Sequence, residues 1–148
     1  MEVPGLASTY SIIYPSIPTA GVYLFTTDSG VQYEVRFGRK QDNILHVIIV
    51  FGVTNDEYNG EEYIETNKGE HYHVLATIVE IVKNFRLVHP NVRIYEFSGL
   101  ARPEETDEQT TIRLQFYKRY LSFIFEADDW EVVQKANVIL VNKKKESR

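Results

Sequence analysis

The chain has 148 residues, 43% of them hydrophobic and 25% charged, with a formal net charge of −5. That length and balance suit one folded domain with its own core and exclude a disordered chain. The absence of cysteine excludes disulfides, thiolate catalysis and cysteine-bound zinc, and the negative balance disfavours nucleic acid as a partner, since broad binding needs a basic footprint.

Residues 1–20 place Pro4, Gly5, Pro15 and Pro18 around Tyr10, Ile12, Ile13 and Tyr14. They read as an extended N-terminal arm that lays its apolar side chains on the domain. Gly21 to Thr27 reads as a strand and Asp28-Ser29-Gly30 as a turn. Val31 to Phe37 alternates, with Val31, Tyr33, Val35 and Phe37 on one face and Gln32, Glu34 and Arg36 on the other. The two strands form the clearest hairpin signal in the chain.

After a polar turn over Gly38 to Asn43, Ile44 to Val53 is apolar on both faces except for His46. Such a strand belongs at the centre of a sheet, covered on both sides. Thr54 to Glu70 is a long acidic loop, a length often kept for function. His71 to His89 reads as a helix: Val74, Ile78, Ile81, Phe85 and Val88 share a stripe, and Pro90 ends it. Val92 to Phe97 is the next strand. A second helix starts near Thr106, where Thr106 and Gln109 pair as a capping box, and its stripe is Leu114, Tyr117, Leu121 and Ile124. Trp130 to Val133 and Asn137 to Val141 read as short closing strands, and Lys143 to Arg148 as a charged tail.

The expected fold is therefore α+β over a single domain, residues 1–148. Its order is β-β-β-α-β-α-β, with room for one more strand at the end. A mainly antiparallel sheet carries two helices. The first residues lack the basic start and apolar core of a secretion signal. The longest apolar run, Ile44 to Val53, falls short of the roughly 20 residues that a membrane helix needs. A cytoplasmic location and no membrane partner are the expectation.

Four groups of residues are candidates for chemistry. Lys68, Gly69 and His71 stand where the first helix starts, and the free N–H groups of a helix start suit an anion such as a pyrophosphate; a plain glycine turn is the alternative. His71 and His73 point to different helix faces and cannot grip one metal together, so no metal is expected. His46 reads as a satisfied core histidine, and His89 as a cation at a helix C-terminus. Arg113 and Tyr117 are neighbours on one helix face, where the Tyr117 hydroxyl can give up a proton in acyl transfer; a half-buried tyrosine is the alternative. Glu34 and Arg36 read as a surface ion pair.

The order from Gly21 to Phe125 resembles the later part of the GNAT acetyltransferase fold. In that family a three-strand meander leads to a helix whose start cradles the pyrophosphate of acetyl-coenzyme A, and a strand and a second helix follow. Arg113-Leu114-Gln115-Phe116-Tyr117-Lys118-Arg119 is similar to the family's second-helix motif, and the resemblance makes Tyr117 the general acid. The segment Gly30 to Phe37 also resembles small uncharacterised bacterial and phage domains of the same plan.

Two functions follow as expectations. The first is a non-catalytic binding module with a protein partner and no cofactor, docking through residues 55–70 or the Arg102 to Asp107 loop. The second is a divergent acyl-coenzyme A-dependent N-acyltransferase that takes acetyl-coenzyme A. The oligomeric state stays open, because the Gly21 to Thr27 strand can pair with the arm or with a second chain, a homodimer being one outcome.

Overall fold

The computed structural model describes residues 7–15, 21–53, 68–98, 118–135 and 138–144. Seven strands and one α-helix follow in chain order: β1 (Ile12–Ile13), β2 (Val22–Thr26), β3 (Gln32–Lys40), β4 (Asn43–Val53), α1 (Lys68–Val88), β5 (Ile94–Ser98), β6 (Trp130–Lys135) and β7 (Val138–Lys143). The strands hydrogen-bond in the order β1-β2-β3-β4-β5-β7-β6. The class is α+β with a mostly antiparallel sheet, and β4 holds the central position expected of its apolar run.

The order differs from the expected one in two places, the arm and the second helix. The arm contributes a two-residue strand of its own, β1. The two closing strands are both present, the second being the extra strand for which the order left room, and they pair as the hairpin β6–β7, with Trp130 opposite Lys143 and Lys135 opposite Val138. Among the described residues α1 is the one whole α-helix. The expected second helix, from Thr106, lies outside the described residues as far as residue 117. Lys118, where description resumes, is α-helical, and Leu121–Phe123 beyond it is a single 3-10 turn. Its bonds run from Phe123 N–H to Tyr120 O at 3.1 Å and from Ile124 N–H to Leu121 O at 2.9 Å. Aromatic and β-branched residues crowd this stretch and weaken an α-helical turn. Leu121 and Ile124 are nevertheless buried, as their stripe requires.

The chain gathers into two compact units, one drawn from residues 1–37 and 51–88 and the other from 38–50 and 89–148. In the first, β2 pairs antiparallel with both β1 and β3. Alternation places Tyr23, Phe25, Tyr33 and Val35 inward, and α1 supplies Val74, Leu75, Ile78, Val79, Ile81, Val82 and Phe85 to the same core. Two contacts fix the helix to the strands. The Tyr23 hydroxyl donates to Asn84 Oδ1 at 3.1 Å, and the Phe37 and Phe85 rings stack with centroids 4.0 Å apart. Gly30 takes φ +89° in the β2–β3 turn, a left-handed conformation that glycine adopts without strain.

α1 starts at Lys68, three residues before its apolar stripe called for. Residues 74–79 are all buried, more than one helix face can account for. The second cover is the arm. Tyr10 N–H donates to Thr77 Oγ1 at 2.9 Å, His73 Nδ1–H donates to the Ser8 carbonyl at 2.9 Å, and the Tyr10 ring stacks on Phe25 with centroids 6.1 Å apart.

In the second unit β4 and β5 run parallel, with His46 opposite Ile94 and Ile49 opposite Phe97. Parallel neighbours need a crossover connection, which here passes through α1. β5 and β7 are antiparallel. The inward face carries Val47, Ile49, Tyr95, Phe97, Ile139 and Val141, joined by Phe125 and Trp130. Tyr95, Phe125 and Trp130 form an aromatic cluster, Phe125 and Trp130 being 5.0 Å apart. Lys143 Nζ lies 5.3 Å from the Trp130 ring centre, a cation–π distance.

Candidate functional site

Lys68, Gly69 and His71 lie in the first turn of α1 rather than in a loop before it. Their backbone N–H groups are among the first four of the helix, which have no acceptor within it. Arg113 and Tyr117 lie outside the described residues, as do residues 55–67 of the first expected docking segment and the whole of the second, Arg102 to Asp107. His71 and His73 stand two positions apart within α1. Among the described residues no group of three or more histidines and acids could hold a metal ion.

The histidine read as a core residue has a definite partner. His46 Nε2 lies 2.9 Å from Glu96 Oε1, joining β4 to β5, with the side chains 12% and 18% exposed. The parallel register sets His46 beside Ile94 and Ile48 beside Glu96. The two polar side chains thus sit diagonally on one face, fenced by isoleucines. The carboxylate can only accept, so Nε2–H donates to it and the contact holds the orientation of the imidazole ring. Sequence reasoning missed Glu96. The available signal was one acid in the apolar strand Ile94-Tyr95-Glu96-Phe97, matching one histidine in the apolar strand of β4.

The Glu34–Arg36 pair forms as its spacing suggested, with Arg36 Nε 2.8 Å from Glu34 Oε2. The hydrogen bond to Glu34, and then its charge, holds the Arg36 guanidinium above its ordinary value. Burial, with a smaller contribution from Tyr14, pushes the Tyr23 phenol above its ordinary value.

The outer face of β1 and β2 is unexpectedly apolar. Ile13 is 63% exposed, Leu24 39% and Val22 38%. Ile13 stands directly opposite Leu24. Leu24 stands opposite Glu34, and Val22 opposite Arg36. Alternation keeps all five side chains on one side of the strands. The result is an apolar strip on the edge strand β1 and its neighbour, bordered by one acid and one base.

No family model, curated protein or solved structure matches the chain. Among the described residues no helix is long and apolar enough to cross a membrane.

Proposed function

We propose that the chain is an interaction module that docks a protein partner through the outer face of β1 and β2. The observation that carries this reading is the contiguous exposure of Ile13, Leu24 and Val22 on that face. Scattered single apolar residues are ordinary on a protein surface, but adjoining ones with a polar rim mark contact sites. The test is a photo-crosslinking amino acid placed at Ile13 or Leu24, and at Glu131 and Lys135 as controls on another exposed strand. Adducts with a protein confined to the first two positions support the reading. Equal labelling at all four, or none, sinks it.

One observation favours a second reading, an acyl-coenzyme A-dependent N-acyltransferase. The meander β2-β3-β4 leads into α1 and then β5, the plan that the GNAT resemblance implies. Lys68 and Gly69 then offer backbone donors to a pyrophosphate, and Tyr117 serves as the acid. The fit to acetyl-coenzyme A is partial. Gly69 suits the family's phosphate loop, whereas His71 carries a bulky side chain where that loop has a small residue, and Thr66 replaces its basic or amide residue. A thermal shift with acetyl-coenzyme A decides. A ligand at a hundredfold excess over its dissociation constant adds about 2.7 kcal/mol of stability. A rise abolished by Gly69→Trp supports the enzyme, and no rise at millimolar ligand removes it.

A further inference from the structure

The strip on β1 and β2 carries a charge arrangement that limits what can cover it. Among the described residues Glu34 and Arg36 are its two charged side chains, two residues apart on the same face of β3. One lies beside Leu24 and the other beside Val22. A partner of a single strong charge would meet one attractive and one repulsive contact here. A surface that offers one base and one acid at the same separation, in reversed order, meets two attractive ones. The chain itself offers that surface when rotated by half a turn, since a twofold axis sets residue i against residue j and j against i.

We propose that this face pairs with the same face of a second copy of the chain, about a twofold axis passing between Glu34 and Arg36. Ile13, Leu24 and Val22 of the two copies then cover one another. Glu34 of each copy meets Arg36 of the other, which closes a ring of four alternating charges. Arg36 has the donors for this. Glu34 engages its Nε, and a guanidinium carries four further N–H groups on its two terminal nitrogens. Arg36 is also the more extended of the two, its side chain 63% exposed against 24% for Glu34. The short edge strand β1 lies at the rim of the paired faces.

The inference rests on the reading of this face as a docking surface, and it names the partner. Sedimentation equilibrium of the full chain across a range from low to high micromolar concentration tests it. The wild type is expected to pass from monomer to dimer. Leu24→Arg, at an exposed position, is expected to stay monomeric with an unchanged circular dichroism spectrum. Glu34→Arg puts two bases on the face and Arg36→Glu puts two acids there, so each alone is expected to be monomeric. Mixed in equal amounts, the two are expected to form a heterodimer that weakens with salt. A wild type that stays monomeric at every concentration overturns the inference. If the crosslinker at Leu24 still captures a different protein in that case, the docking reading survives without it. A dimer indifferent to Leu24→Arg overturns both. A mixture of the two charge variants that fails to associate overturns the twofold arrangement.

Discussion

The amide N–H of Tyr10 donates to the hydroxyl of Thr77, 67 positions further along the chain, at 2.9 Å. The same hydroxyl donates to the His73 carbonyl at 2.7 Å. One side chain thereby uses its donor on its own helix and its acceptor on the arm. Thr77 is completely buried, so no water replaces it.

Thr77→Val therefore strands the Tyr10 N–H under the arm. A buried donor left without an acceptor costs about 1–3 kcal/mol. Thr77→Ser keeps the hydroxyl and is expected to recover most of that loss. Urea midpoints of the three proteins check this. A Thr77→Val protein as stable as wild type would show that the Tyr10–Thr77 hydrogen bond contributes nothing to stability.

Gly21 is held by a close approach of two backbones. Phe37 N–H donates to Gly21 O at 2.7 Å, and a Cβ at position 21 would lie 2.5 Å from the Phe37 carbonyl oxygen. Backbone cannot swing aside as a side chain can. Gly21→Ala is expected to lower stability by about 1–3 kcal/mol, the usual range for overpacking. Denaturant unfolding measures it.

Tyr23 makes stability depend on alkaline pH. Its folded phenol is raised above the ordinary tyrosine value, so the native state holds the proton more tightly than the unfolded chain. That contribution is complete below about pH 10, where the unfolded tyrosine titrates. It is lost as pH rises through the higher folded value. Unfolding midpoints taken between about pH 9 and pH 11.5 are expected to fall more steeply for wild type than for Tyr23→Phe. At neutral pH the same variant is expected to lose about 1 kcal/mol with its hydrogen bond to Asn84.

His46 and Glu96 form the fourth case. A double-mutant cycle with His46→Ala and Glu96→Ala is expected to return a coupling of about 0.5–3 kcal/mol, the range for residues in direct contact. Additive losses would show that the 2.9 Å contact does not contribute to stability.

The β2–β3 hairpin and the central β4 were legible because their signals are local: period-two alternation in one, an unbroken apolar run in the other. The start of α1 was not. Lys68-Gly69-Glu70 is polar and holds a glycine, a loop by its own preferences. The long buried run that follows carries the helix back through it, tertiary packing overriding propensity. The 3-10 turn at Leu121–Phe123 was hidden for the opposite reason, since apolar spacing there is helical while the residue types are not. The His46–Glu96 pair left a signal of residue type, a lone acid and a lone histidine in two apolar strands, but none of register. Its partners stand 50 residues apart, and the register that joins them belongs to a parallel pair with no hairpin turn to set it. Of the residues singled out for chemistry, Glu34 and Arg36 came together as read. The apolar strip beside them depends on the pairing of Ile13 with Leu24, a relation between two segments that neither announces.

The parallel seam between β4 and β5 also has a consequence for how the protein is made. β2 and β3 are neighbours in the chain and can zip together as soon as both have left the ribosome. β4 has to wait. Its second neighbour arrives only after α1 has been synthesised and the chain has doubled back, and a closure over that distance pays its entropy before any contact rewards it. β5 then serves two strands at once, lying between β4 and β7. Synthesis and assembly run in the same order through the meander and part company at β5. Until that strand emerges, the nascent chain displays one open edge of its most apolar strand, and this is the interval in which a chaperone has most to protect.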